Sequence, residues 1–137
     1  MSNWVEQFVA ALPYARALGI ELISQDPRGH CVLRLPWRED LVGDPGTRVL
    51  HGGVITGLLD TLGAATVLAR RLRLQATLDL RIDYLRAATP HADLLGDAEC
   101  YRVTRHVAFV RGSCHQGDVG RPVANLTAAF ILQEEKS

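Results

Sequence analysis

Between residues 53 and 69 the chain reads GVITGLLDTLGAATVLA, and Asp60 is the only charged residue in that oily run. In a helix, the positions three and four residues from Asp60 share its face. Here they are Thr56, Gly57, Gly63 and Ala64, so the carboxylate sits in a stripe of small side chains. A glycine inside a helix costs about 1 kcal/mol relative to alanine. Two of them need a reason: a backbone that approaches closely, or a slot left open beside the acid. A buried, unpaired carboxylate is costly and must find donors or change its protonation, and functional sites are enriched in acids placed this way. A structural acid bonded to a strand or a partner helix fits the same facts.

His51, Gly52 and Gly53 stand at the start of the run. Two glycines allow a ligand to approach the backbone. The first turn of a helix offers unpaired N–H groups and the positive end of the dipole, which suits a developing oxyanion. An ordinary tight turn would use the same residues.

The elements that must position these groups follow from the spacing of apolar residues. Trp4, Phe8 and Leu12 predict a short helix over residues 3–12, which Pro13 ends or follows with another turn. Extended segments are expected at 20–24 and 30–35, around the turn Asp26-Pro27-Arg28-Gly29. Residues 37–50 lack a period and read as a loop, and the apolar helix follows at about 53–69. Its large side chains Ile55, Leu58, Leu59 and Leu62 form one stripe that Thr66 continues. Next, Leu78, Leu80, Ile82 and Tyr84 alternate with Thr77, Asp79, Arg81 and Asp83, as a half-buried strand should. Further strands at 92–103, 107–115 and 122–132 are joined by hairpin-length connections. A helix apolar on nearly every side cannot lie on a surface. A curved antiparallel sheet wrapped around it, an α+β arrangement, is the economical solution, and the sheet's edges favour dimerisation.

The 137 residues predict one domain, 1–137. Lys+Arg and Asp+Glu balance at 15 each, so no global field attracts nucleic acid or an anionic membrane. Cys31, Cys100 and Cys114 are odd in number and widely spaced, without CxxC pairs or Cys/His clusters. They read as reduced, buried thiols in a cytoplasmic protein, with no metal expected. No signal peptide is expected either, and residues 54–69 read as too short and too interrupted for a membrane span.

Two blocks taken together are more specific. Leu50-His51-Gly52-Gly53-Val54, with Asp60 nine residues after the histidine, precedes Asp79-Leu80-Arg81-Ile82-Asp83-Tyr84-Leu85-Arg86-Ala87-Ala88. Over about residues 41–132 the chain resembles the PaaI-like branch of the hotdog-fold acyl-CoA thioesterases. That resemblance implies a hotdog dimer, often paired into a tetramer, with active sites at the subunit interface. It implies an acyl-CoA substrate and no cofactor beyond the CoA that is part of that substrate. Carried over by position, Asp60 is the general base or nucleophile, and the N–H of Gly52 or Gly53 is the oxyanion donor. Thr77 supplies a hydroxyl that helps orient the water, and His51 supports the loop or the thioester region. Relatives often place an asparagine in the preceding loop, where this chain has Gly43-Asp44-Pro45-Gly46. An ionised Asp44 cannot donate a hydrogen bond.

Arginine suits phosphate geometry. Among the late arginines Arg86, Arg102, Arg105 and Arg111, we expect Arg86 and Arg105 to hold CoA phosphates. Arg70, Arg71 and Arg73 suit the helix C-terminus, and His30, His91, His106 and His115 form no ligand cluster. Two other readings compete with hydrolysis. One is a hotdog hydratase or dehydratase that pairs His51 with Asp60 for proton transfer at carbon. The other is a non-catalytic acyl-CoA binding domain, against which the acid at Asp60 argues.

Overall fold

The computed structural model describes residues 4–134. An 18-residue helix, α3 (Gly52–Ala69), forms the axis of the fold. Ile55, Leu58, Leu59 and Leu62 are at most 4% exposed and Thr66 is fully covered, so the expected stripe faces the core. This helix is in fact long and apolar enough to cross a membrane, but 72% of it is buried inside the fold, as a core helix requires.

Six antiparallel strands surround it: β1 (Glu21–Gln25), β2 (His30–Leu35), β3 (Leu74–Tyr84), β4 (Leu94–Val103), β5 (Val107–His115) and β6 (Ala124–Leu132). Their order in the sheet is β1-β2-β4-β5-β6-β3. Helix α3 contacts every strand from β2 to β6, the arrangement the hotdog resemblance implies. One long helix is thereby sealed by Leu33, Leu35, Leu94, Leu126 and Phe130, all at most 2% exposed.

At the N-terminus, α1 (Trp4–Ala11) takes the expected helical stretch and Pro13 opens a second helix, α2 (Pro13–Leu18), one of the two outcomes expected there; the expected start at Asn3 lies outside the described residues. Val5 and Val9 are the buried positions of α1, while Trp4, Phe8 and Leu12 flank them half-buried. Residues 37–50 form a loop with one 3-10 turn at Glu39–Leu41 and a bridge between Val42 and Leu50.

The expected alternation fails in β3, and the difference matters for the site. Against β6, Thr77 pairs with Phe130 and Asp79 with Ala129, which leaves Leu78 as an extra residue; Gln75 is a second. A bulge shifts every later side chain to the other face relative to the earlier ones. Thr77 therefore shares the inner face with Leu80, Ile82 and Tyr84, whose β6 partners Ala128, Leu126 and Ala124 are buried. Leu78, expected inside, is 54% exposed.

Candidate active site

After its first turn, α3 is at least partly exposed only at Thr56, Asp60 and Leu68. These positions recur every four residues or multiples of four, so they make one stripe along the helix. Asp60 is at its centre. Thr77, turned inward by the bulge, donates its hydroxyl proton to Asp60 Oδ1 across 3.0 Å. Among the described residues Asp60 has no other hydrogen bond and no ion pair, so Oδ2 is free.

The two glycines beside Asp60 are explained by neither a close backbone nor an empty slot. A Cβ on Gly63 would fall 2.7 Å from the Phe130 ring, and one on Gly57 would fall 2.5 Å from the Tyr14 hydroxyl. Each glycine admits an aromatic side chain against bare helix backbone.

His51 is the N-cap of α3, and its Nδ1 accepts the Gly53 N–H at 2.8 Å. The bond requires a lone pair on Nδ1, which fixes the proton of the neutral ring on Nε2. Val54 N–H is taken by the His51 carbonyl at 2.9 Å. The Gly52 N–H has no acceptor among the described residues, and Gly52 is exposed. Of the two amides expected to serve as donors, the one at Gly53 is occupied and the one at Gly52 is available. Tyr84 reaches this turn from β3, donating to the Gly52 carbonyl at 3.3 Å and meeting the Thr56 hydroxyl.

Asp44 is committed to its own loop. Its Oδ1 accepts the Gly46 N–H at 2.8 Å, and its carbonyl accepts the Arg48 N–H at 2.7 Å. The Gly46 N–H, followed by the hydroxyl and N–H of Thr47, holds this carboxyl below its ordinary range. Gly43 packs directly on the helix start, where an added Cβ would lie 2.8 Å from His51 Cα.

One chain does not bring all these groups to one point. Gly52 and Asp60 are separated by eight residues of helix, about 12 Å at the α-helical rise. A thioester carbonyl needs both its oxyanion donor and its attacking group within about 3 Å. The same spacing disposes of a His51–Asp60 dyad within a chain.

The arginines divide in the same way. Arg105 joins Arg71 and Arg73 around a cleft of ≈ 370 Å³ floored by Leu72, Val103 and Leu132. Arg86 lies past the opposite end of β3, where it donates to the Arg121 carbonyl and shares a shallower hollow with Arg121. Arg111 is paired with Glu99 at 3.0 Å on the outer sheet face. His30 bonds Asp97 at 2.6 Å, His115 Nδ1 accepts the Gly117 N–H at 3.0 Å, and His91 packs against Trp37 with the rings tilted by 46°. Sequence reasoning missed Tyr14 and the contact Tyr84 makes. Tyr84 stood inside a recognised block, but nothing in the sequence marked Tyr14.

The family model described as Thioesterase superfamily matches residues 48–123. The medium/long-chain acyl-CoA thioesterase YigI of Escherichia coli K12 is 33% identical, covering 93% of this chain and 90% of that protein. A crystal structure of a Pseudomonas aeruginosa protein is 42% identical with a TM-score of 0.79, covering 93% of this chain and 95% of that one. A variant of the phenylacetic acid degradation protein PaaI from Thermus thermophilus is 26% identical with a TM-score of 0.76, covering 88% and 98%. The matched segment runs from the loop before His51, through Asp60 and Thr77, to the residue before β6. By sequence and by fold, the chain belongs to the thioesterase superfamily.

Proposed function

We propose that the chain hydrolyses acyl-CoA thioesters to the free acid and CoA at sites shared between two copies. The observation that carries this is the Asp60–Thr77 pair on an open face, out of reach of the Gly52 amide of the same chain. Thr77 faces Asp60 near one end of β3 and Tyr84 faces Gly52 at the other, so strand and helix run antiparallel. β3 is a free edge. Antiparallel pairing of two β3 edges, about a two-fold axis near Leu80 and Arg81, sets Gly52 of each copy toward Asp60 of the other.

In such a site the Gly52 N–H at the positive end of α3 receives the thioester oxygen. Asp60 Oδ2 removes a proton from water as the water oxygen bonds to the acyl carbon, or attacks that carbon itself. The C–S bond breaks and the thiolate leaves as the CoA thiol, taking the proton that Asp60 removed from water in the first route; in the second it takes a proton from solvent, and water then hydrolyses the acyl–Asp60 anhydride to the free acid and the restored carboxylate. Both routes need Thr77 to hold Oδ1. His51 acts by capping α3. The CoA phosphates are assigned to the cleft of Arg71, Arg73 and Arg105, which the same antiparallel pairing completes with Arg86 from the second copy. Arg73 is four residues from Thr77, about 13 Å along a strand, a span that a pantetheine arm bridges. No metal is assigned, and a reducing cytoplasmic compartment suits the three free thiols.

The test uses two single variants. Asp60→Asn should lower thiol release about a thousandfold. Gly52→Pro deletes the N–H at a position that accepts the ring: proline is tolerated at the first helical position, His51 already has the extended angles φ −62 and ψ 137, and an added Cβ would rest 3.7 Å from Tyr84. It should lower turnover about a hundredfold, whereas Gly52→Ala keeps the donor and the rate. Refolding the two defective chains together should restore roughly a quarter of wild-type turnover, because mixed dimers carry one intact site. Absence of any recovery, with mixed dimers shown to form, would place each site within one chain and defeat the proposal.

A further inference from the structure

Successive residues of α3 turn by about 100°. Seen along the helix from Asp60, Thr56 lies about 40° to one side and Gly57 about 60° to the other. Thr56 meets Tyr84, so its side faces β3. Gly57 meets Tyr14, where an added Cβ would fall 2.5 Å from the hydroxyl, 2.7 Å from Cε2 and 3.0 Å from Cζ. Asp60 therefore projects between the sheet edge and a tyrosine ring delivered by α2. Ala15 and Leu18, at most 7% exposed, pin α2 to the core, and Gly19 (φ +77) closes it with its N–H on the Ala15 and Arg16 carbonyls. The frame that holds Tyr14 is fixed, yet its side chain is 55% exposed. Its hydroxyl has no hydrogen-bond partner among the described residues. The ring rests against bare helix and keeps an exposed surface, one turn from the reacting carboxylate.

We infer that Tyr14 is the wall of the acyl slot opposite β3, and that the Tyr14–Gly57 contact sets how bulky an acyl group fits. The inference rests on the hydrolase reading above. An aromatic ring offers a broad apolar surface at little rotamer cost, and pocket contacts worth a few methylenes discriminate acyl groups by about ten- to a hundredfold. Gly57 sets the depth at which the ring is seated, and so the width left for substrate.

The experiment measures kcat/KM for hexanoyl-, dodecanoyl- and phenylacetyl-CoA by thiol release, in wild type, Tyr14→Ala, Tyr14→Phe and Gly57→Ala. Melting temperature and oligomeric mass are recorded for each protein. Tyr14→Ala should raise the phenylacetyl-to-hexanoyl ratio about tenfold. Tyr14→Phe should keep the wild-type ratio, since the ring and not the hydroxyl makes the wall. Gly57→Ala, which pushes the ring outward, should move the ratio the other way. Ratios unchanged in all three variants overturn the inference, whether or not the proteins are destabilised. So does a Tyr14→Phe shift as large as that of Tyr14→Ala. A wild-type protein that releases no thiol from any of the three thioesters refutes the hydrolase reading itself, and this inference with it.

Discussion

Thr77 spends its hydroxyl proton on Asp60 Oδ1. In the proposed reaction this leaves the other carboxylate oxygen for water or the thioester carbon, and Thr77 Oγ1 keeps lone pairs to accept from that water. A carboxylate free to rotate would lose this direction, and a misplacement of about 1 Å can lower a rate a hundredfold. Thr77→Val conserves shape and removes the hydroxyl. Its kcat should fall by about ten- to a hundredfold with KM little changed, while Thr77→Ser stays near wild type; equal loss in both variants would show that the methyl, not the hydroxyl, matters. The cysteines make a contrasting residue-scale case. Burial pushes the Cys31 thiol up to about 12, with Asp26 adding to the effect, and the Cys114 thiol up to about 11. The thiolate is the reactive form. In mildly alkaline buffer a thiol reagent should modify neither residue until denaturant unfolds the chain, and prompt stoichiometric labelling of the native protein would contradict their burial.

At the scale of elements, the bulge in β3 is the device that assembles the site. Removing Leu78 closes the ladder so that Asp79 follows Thr77 directly, and Thr77, still opposite Phe130, stays on the inner face two positions before Leu80. The deletion variant should therefore lose far less turnover than Thr77→Val, with a melting temperature that changes by only about a few degrees because β3 is an edge. A loss as deep as that of Thr77→Val would mean that the bulge itself, and not only the face it gives Thr77, sets the hydroxyl against Asp60. The same bulge marks how far the sequence could be read. Helix α3, the strands and the antiparallel hairpins were legible because one apolar helix and several alternating runs admit few packings. β2 and β5 have the expected bounds, and α3 starts one residue early at Gly52. Bulges leave no period of their own, so the alternation named Leu78 for the interior and Thr77 for solvent. Thr77 entered the site through the family resemblance alone. The glycines beside Asp60 were legible as needing a reason, but the reason is Tyr14 and Phe130, two side chains distant in sequence. Asp44 read as a puzzle because a turn closed by its carboxylate has no signal beyond Asp-Pro-Gly.

The whole molecule explains why a single chain looks unfinished. β3 carries Leu78 and Tyr84 at 54% and 53% exposure, and Leu85 just beyond it is 50% exposed. Such a free, partly apolar edge invites another strand. The Asp60 face opens along the same edge, and the Gly52 amide proposed as its oxyanion donor is about 12 Å away on its own helix. Pairing two edges satisfies the backbone groups of β3, covers these side chains and supplies each carboxylate with an amide. In the proposed dimer, folding and activity are linked to association, and stability then follows protein concentration. The melting temperature should rise as the protein is concentrated. Turnover per chain should fall on dilution in step with the dimer fraction measured by sedimentation, and adding catalytically dead Asp60→Asn chains to the dilute protein should rescue part of it. A chain that sediments as a monomer while keeping full turnover would hold a complete site in one copy and would overturn the shared-site proposal.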